Sequence, residues 1–450
     1  HAEAVEGSTN PLEDEDLTLF IRMGTDFVEN YYEYEIPLYK TEFGASVDTD
    51  IWPEKNNVEI IFDDLLNLKK DRNLAIDNGS ASYIVEYKKF KVANPVEGTN
   101  EAMLSIKGSP NLQGMKTIMI GVRNRHKNSH TDPAENWNED GLSKCANIWI
   151  NELRLTDFVT EGGSAAVAQA KVQLADFANV SMSGSYQGIN WGAVDSRVQD
   201  RQRNEQIGFD MNASVQLGQF FGKKAKVSLP FFYGYSLGII NPEYDPFNPD
   251  IKLKDYDAAT RKKRAEMGQD FQERKSYNFT NVRKEIKAGA KPHFWRVSNW
   301  TANYSYAENL LRDFNTNFDR TKTWDGGLAY NYSFKVKPVM PFKKVKFLKK
   351  SKWFAIVRDV NFFLAPKNIS MTNNFSRTYN ERQIRNNLVP TFPFDTLYMK
   401  QFDWDRSYNL GYDITRKLKF QFSASNRSVF TEDNTRVNRI GNTSRISKMH

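Results

Sequence analysis

The chain has 450 residues, room for two or three domains, and 62 Lys+Arg stand against 55 Asp+Glu for a net charge of +7. Both signs are dense and interspersed, so the pI near 9.0 is weak evidence for nucleic acid, and no such partner is expected. The one cysteine, Cys145, excludes an internal disulfide framework and a multi-cysteine metal site. A mean hydropathy of −0.64 and the lack of any apolar run near the ~18 residues of a spanning helix exclude helical insertion. A transmembrane β-barrel escapes that test, because its inward half is polar and dilutes the hydropathy.

In chain order, residues 1–15 are acidic and turn-rich and read as a flexible lead-in. The start at His1, without a charged n-region or an apolar h-region, and the polar end Ser-Lys-Met-His suggest a piece of something longer. Residues 16–158 read as a soluble β-rich, sandwich-like domain: short apolar clusters such as Leu19-Phe20-Ile21, Tyr83-Ile84-Val85, Ile118-Met119-Ile120 and Ile148-Trp149-Ile150 alternate with turn residues. Residues 63–72, with Leu65, Leu66 and Leu68, are the expected helix there. The stretch 124–141, which holds Pro133, is a polar loop.

After Glu161-Gly162-Gly163 the character changes. Ala166, Ala168, Ala170, Val172 and Leu174 alternate with Val167, Gln169, Lys171 and Gln173, and Val180, Met182, Gly184 and Tyr186 alternate with serines. The two strands share a turn at Asp176-Phe177 and form a hairpin. The clearest alternation is 206–216. Ile207, Phe209, Met211, Ala213 and Val215 interleave there with Gly208, Asp210, Asn212, Ser214 and Gln216. A period of two gives one apolar and one wet face, and eleven residues match the roughly 9–11 that cross a bilayer obliquely. Further strands read at 227–237, 300–306, 324–334, 369–379, 402–414 and 418–428, about ten in all within 161–430. The fold class expected is all-β: a partial arc of a large antiparallel transmembrane barrel, after the soluble domain. Ile207, Phe209, Met211 and Val215 would face lipid, and Asp210, Asn212, Ser214 and Gln216 would line the lumen. Short turns are expected at one end and long loops at the other, with one helical insert at about 254–275 and a polar connection over 431–450. A soluble sandwich explains alternation as well, but not strands this long or this numerous.

Few constellations point to chemistry. Gly218 to Lys224 (GQFFGKK) is one residue short of a phosphate loop, lacks Ser/Thr after the lysine and opens no helix, so a hairpin turn is expected. His126 and His130, near Asp132 and Glu135, have the spacing of a helical zinc site, but the polar residues between them and Pro133 favour a solvated loop. Residues 241–250 (NPEYDPFNPD) pack three prolines and three carboxylates. The oxygens suit calcium, yet the glycine and spacing of a calcium loop are absent, and a rigid turn at a strand exit is expected. Residues 341–352 carry six lysines among Phe, Val and Leu, either a solvated loop or a headgroup contact. No Ser/His/Asp or Cys/His set occurs, so neither an enzyme nor any metal or cofactor is expected.

Several motifs resemble one family: NIWINELRLTDF from Asn147, EGGSAAVAQAKVQLADFANVSMSGSY from Glu161, the NPEYDPFNPDIKL loop, RMGTDFVENYYEYEIPL with IWPEKNN, and NFTNVRK. Spread over roughly residues 17–380, they are similar to the SprA (Sov) family, the outer-membrane translocon of the Bacteroidetes type IX secretion system, also tied to gliding motility. The resemblance implies a far longer chain with one wide barrel for folded cargo. It implies as partners a secreted cargo with a C-terminal secretion signal, a periplasmic plug protein, an outer-membrane shuttle protein and the lipid bilayer. Asn151-Glu152-Leu153-Arg154 is the most family-like patch, expected as a structural joint before the first strand, where Glu152 and Arg154 point the same way and can pair. A self-contained porin and a surface module binding carbohydrate or protein through 16–158 are the competing readings.

Overall fold

A computed structural model describes residues 1–92, 101–115, 117–124, 140–158, 160–197, 200–222, 224–286, 289, 293–343, 357, 359–387, 392–432 and 445–446. His126, His130, Asp132 and Glu135, most of the 341–352 lysine stretch and most of 431–450 lie outside them. The chain divides into two units, His1–Thr160 with Tyr244–Asp257, and Glu161–Glu243 with Ala258–His450.

The first unit contains strands β1 (Ala2–Ala4), β2 (Thr18–Gly24), β3 (Tyr31–Pro37), β4 (Lys40–Thr41), β5 (Tyr87–Val92), β6 (Glu101–Lys107), β7 (Thr117–Arg123) and β8 (Ala146–Ile148), with helices α1 (Asp48–Ile51) and α2 (Phe62–Asp77). Five strands form an antiparallel sheet in the order β5-β6-β3-β2-β7. All seven residues of the central strand β3 are buried, so both of its faces are covered. On one face Tyr32, Tyr34 and Ile36 pack with Ile21, Ile106 and Leu104 against Leu65 and Leu68 of α2. Asp63 and Asp64 in the first turn of α2 suit its dipole. The partner of the sheet is thus a helix, where a sandwich would supply a second sheet. The apolar clusters of the sequence do not distinguish the two covers, because either buries the same face.

The other face of β3 carries Glu33 and Glu35, 1% and 0% exposed. Both are matched. Arg22 pairs with Glu33, Arg123 bridges Glu33 (3.2 Å) and Glu35, and the Thr18 hydroxyl donates to Glu35 at 2.5 Å. The acidic lead-in is ordered, contrary to the sequence expectation. β1 lies between β4 and β8, Ala2 and Leu12 are buried, Tyr39 donates to Glu15 and Lys40 pairs with Glu13. Three residues are too few to show a strand period, and the acidic composition hid their partners.

The second unit begins with β9 (Ala165–Leu174), β10 (Ala178–Gln187), β11 (Asn204–Gln216), β12 (Val227–Ser228) and β13 (Pro230–Pro242). The chain then contributes a hairpin to the first unit, β14 (Tyr244–Asp245) with β15 (Asn248–Lys252). It continues with α3 (Ala258–Gly268), β16 (Asp270–Lys284), β17 (Trp300–Arg312), β18 (Thr316–Ser333), β19 (Asn368–Ile384), β20 (Leu397–Asp413), β21 (Lys419–Thr431) and β22 (Arg445–Ile446). Ten long strands pair antiparallel in sequence order from β9 to β21, with β22 beyond and β12 beside β16. Among the described residues the outer edge of β9 has no partner strand, and β9 does not pair with β21 or β22.

The structure alters three further expectations. The helical insert is shorter than 254–275, because the chain enters β16 at Asp270; that strand was not expected, since Glu273 and Lys275 stand where an apolar residue would mark the period. Strands reach 18 residues in β18. Short turns are not confined to one end of the sheet: 175–177 joins β9 to β10 at one end, and 313–315 joins β17 to β18 at the other.

Candidate functional site

The feature that bears on function is the pair of faces on the long sheet. In-register pairing carries the alternation of β11 onto its neighbours. Ile207 lies opposite Tyr186 and Ile239, Phe209 opposite Gly184 and Leu237, Met211 opposite Met182 and Tyr235, and Val215 opposite Ala178 and Phe231. Asp210 lies opposite Ser183 and Ser236, Asn212 opposite Ser181 and Gly234, Ser214 opposite Asn179 and Phe232, and Gln216 opposite Pro230. The expected apolar row and the expected polar row therefore occupy opposite faces, each continued by its neighbours.

Further along, the middle of the polar face is small and hydrogen-bonding, while Leu311, Leu397 and Met399 interrupt it toward one end. Ser305, Asp325 and Ser376 stand in register, and both hydroxyls donate to the Asp325 carboxylate, at 3.3 and 2.7 Å. Asn374, Asp405 and Arg427 follow, then Asp403 with Arg427 at 3.0 Å. Short uncharged and charged groups of both signs leave this face wettable, without a single-sign field.

The apolar face is a ladder of rings. Tyr233 meets Tyr277 at 5.2 Å, Tyr277 meets Tyr306 at 5.8 Å and Tyr306 meets Trp324 at 5.5 Å. Phe231–Phe279, Phe375–Trp404 and Phe402–Phe430 extend it at 4.9, 5.4 and 4.7 Å. Cross-strand aromatic pairs stabilise a sheet by up to about 1 kcal/mol each. In β18 this face runs through Trp324, Leu328, Tyr330, Tyr332 and then Phe334. That rise of ten residues covers ~33 Å along the strand, and ~25 Å upright at a tilt near 40°.

At one end the ladder stops against a tier of charges that sequence reading missed. Glu273, Lys275, Glu308, Arg320, Lys322 and Glu381 continue the same face. Arg320 bridges Glu308 (3.5 Å) and Glu381 (3.0 Å), Lys322 reaches Glu308 at 3.7 Å, and Lys275 reaches Glu273 at 2.9 Å. Tyr306 and Tyr379 each donate to the glutamate two residues on, at 2.8 and 3.1 Å, and Tyr235 donates to Glu273 at 3.1 Å. Their rings sit in the apolar zone and their hydroxyls in the charged one, the placement that amphipathic rings take at a membrane–water boundary. The signal was present as Tyr-x-Glu at 306–308 and 379–381, but it surfaces only once the register aligns the strands.

On β19 to β21 the apolar face also holds polar residues. Arg406 lies over the Trp404 ring at 4.1 Å and donates to Asn426 and to Ser428 (3.0 Å), beside buried Asn373. Arg377 is paired with Glu432 at 2.9 Å. Each of these cations has a partner, as a charge in an apolar setting requires.

The family-like patch is built otherwise than expected. Arg154 does pair with Glu152, but both are about two-thirds exposed and 149–158 forms no strand. Asn151 and Leu153 are likewise exposed. The patch lies between β8 and β9, just before the division between units at Thr160.

The NPEYDPFNPDIKL motif is the second constellation, and from Tyr244 onward it belongs to the first unit. Asp245 accepts from the Phe247 amide (3.1 Å), Asn248 (2.9 Å) and Tyr256 (2.9 Å), which closes the turn. Asp250 is buried between the Lys69 ammonium at 2.7 Å and the Tyr32 hydroxyl at 2.8 Å, and Lys69 also donates to the Pro110 carbonyl at 2.8 Å. Burial pulls Lys69 below its usual range and pushes Tyr32 above its own. The carboxylates considered for calcium are thus engaged by side chains of the protein, and Asp250 serves as an anchor. No cluster of three or more His, Cys, Asp or Glu suited to a metal occurs among the described residues. Cys145 is exposed. The GQFFGKK segment forms a 3-10 turn, Leu217–Phe221, ended by Gly222 at φ +71°.

The family model SprA_N, described as motility related/secretion protein, matches residues 1–256, more than half of the chain. No curated protein matches it.

Proposed function

The chain belongs to the SprA_N family of motility-related secretion proteins, and on that premise we propose that residues 161–432 are an arc of the wall of an outer-membrane barrel that conducts proteins. The observation that carries the reading is the two-faced sheet. One face presents an aromatic ladder about as tall as the ~25 Å apolar band of a membrane barrel, bounded by tyrosines and ion pairs; the other presents serines, asparagines, threonines and balanced charge. Ile207, Phe209, Met211 and Val215 contact lipid, while Asp210, Asn212, Ser214 and Gln216 wet the conduit. A wall of small polar groups offers a passing protein little apolar surface on which to stick. Passage is then diffusive and requires no catalytic residue or cofactor.

Open sheet edges are not tolerated in lipid, so the arc is completed by further strands. The partners that suit this reading are folded cargo bearing a C-terminal secretion signal, a periplasmic plug protein that closes the conduit and an outer-membrane shuttle protein that collects the cargo. The ion-paired and helix-covered first unit includes residues 244–257, which the chain inserts between β13 and α3.

Depletion of the protein in its host is expected to strand normally secreted proteins in the periplasm while the outer membrane stays intact; undiminished secretion would overturn the proposal. Immunoblots of outer membranes should show a chain well above the 52.0 kDa of these residues. A band near that mass that shifts on boiling would instead support a small closed porin.

A further inference from the structure

On the apolar face, at the end of the sheet away from the charged tier, lies a groove of about 520 Å³, within the roughly 300–1,000 Å³ of ligand clefts. Its floor is a row in register across five strands: Trp300, Tyr330, Met371, Tyr408 and Ala424. The small Ala424 at the end of a row of large side chains leaves room there, and Phe422 closes the next row. The near wall is not a strand. It is the Phe294-Trp295 pair of the β16–β17 connection, standing edge to face at 4.8 Å. That wall is fixed: the Tyr330 hydroxyl donates to the Phe294 carbonyl at 2.7 Å, and Asn299 donates to the His293 and Phe294 carbonyls at 2.9 Å. A polar clamp thus holds two large aromatic rings half or more exposed, at 54% and 67%. Such an arrangement is unfavourable in water unless something apolar covers it.

The chain connections at this end of the sheet are basic. Arg296 follows Trp295 directly. Lys367 lies just before β19, two residues ahead of Ile369, with its side chain 62% exposed and Asp413 at 3.9 Å. Lys335, Lys337, Arg416 and Lys417 belong to the connections at this end, against Asp359 and Asp413. An apolar slot at a cationic end of the sheet matches one chemistry, a hydrocarbon chain that ends in a phosphate.

We infer that this groove binds an acyl chain of an anionic glycerophospholipid, seated between Trp295 and the Tyr330–Met371–Tyr408 row with its phosphate against Arg296 and Lys367. The inference rests on the reading of this face as lipid-facing and adds a specific lipid site to it. The same end of the sheet then lies at the leaflet that supplies glycerophospholipid.

The test uses the natural full-length protein in nanodiscs that contain phosphatidylglycerol or phosphatidylcholine with a photoreactive acyl chain, the crosslinked residues being located by mass spectrometry. Crosslinks are expected on the apolar face generally and concentrated at Trp295, Tyr330, Met371 and Tyr408, with phosphatidylglycerol preferred. Each of Arg296→Ala and Lys367→Ala should lower that preference by about fivefold, the effect of one basic residue near an anionic surface. Met371→Trp should remove the groove crosslinks and leave those around Phe209 and Met211. Even labelling of the face without a maximum at the groove would overturn the lipid site and leave the wall reading standing. Displacement of the probe by purified lipid A but not by phosphatidylglycerol would overturn the choice of lipid. Labelling on the polar face in place of the apolar one would overturn both readings.

Discussion

Phe209→Arg is expected to destabilise the membrane-inserted protein by roughly 2–4 kcal/mol, and Ser214→Arg by much less. The two positions lie five residues apart on β11 and differ in the face they occupy. Phe209 is opposite Gly184 and Leu237 and 6.1 Å from the Tyr235 ring; the nearest carboxylate in register, Glu273, is two strands away and already held by Lys275 and Tyr235, so a guanidinium there would sit in hydrocarbon without a partner of its own. Ser214 lies opposite Asn179 and two residues from Asn212 on the wet face, where a long cation stays hydrated. The check is a folding titration in bilayers followed by protection from protease. Equal costs for the two variants would sink the assignment of faces. The native cations of the apolar face do not contradict the expected cost: Arg320, Arg377 and Arg406 each have their own partners, among them Glu381, Glu432 and Asn426.

Lys69→Met should open the first unit at a cost of about 3–5 kcal/mol, because it leaves the Asp250 carboxylate buried without its counter-charge. Asp250 keeps the Tyr32 hydroxyl at 2.8 Å and the field of the buried Arg72 guanidinium, whose own hydrogen bonds go to Gly108 and Asn73, while Ile251, Leu68 and Ile106 of the same unit are essentially inaccessible. In the full chain this predicts cleavage within α2 and the 244–257 hairpin faster by about 10²-fold or more under native-state proteolysis. The double variant Lys69→Met, Asp250→Leu should recover most of the loss, since apolar groups of similar volume often replace a buried ion pair at little cost. If the single variant is as resistant as the parent, the hairpin is not anchored by this pair.

The two predictions rest on features of unequal visibility in the sequence. The strands were legible wherever apolar side chains ran unbroken on one face, as from Ile207 to Val215, because a period of two is a local signal. β16 was not: Glu273 and Lys275 lie on its apolar face, and they belong there only because Tyr235, Glu308 and Arg320 on neighbouring strands receive them. Interstrand pairing is non-local, so the charged tier emerged only with the register. Asp250 shows the same limit more strongly. Its run of prolines and carboxylates suggested a rigid turn at a strand exit or a calcium loop, whereas its partner Lys69 is 181 residues away. The lead-in was misread for a composition reason. Glu13 and Glu15 look solvated until Lys40 and Tyr39 are set beside them. Glu152 and Arg154 did find each other, but through an exposed contact in an irregular segment, worth little to stability. The helix over the first sheet was recognised from its leucines, while its role as the cover of that sheet depends on β3 being central, which no local pattern states.

The most direct test of the wall is a cysteine scan of β11 in the inserted protein, with the exposed Cys145 first replaced by serine. Each residue from 206 to 216 is changed to cysteine in turn and offered a membrane-impermeant maleimide or one dissolved in the bilayer. The account predicts strict alternation: positions 210, 212, 214 and 216 react with the aqueous reagent, and 207, 209, 211 and 215 only with the lipid-borne one. Uniform reaction with the aqueous reagent along both rows would mean that the sheet stands in water on both sides, and the membrane wall would have to be given up.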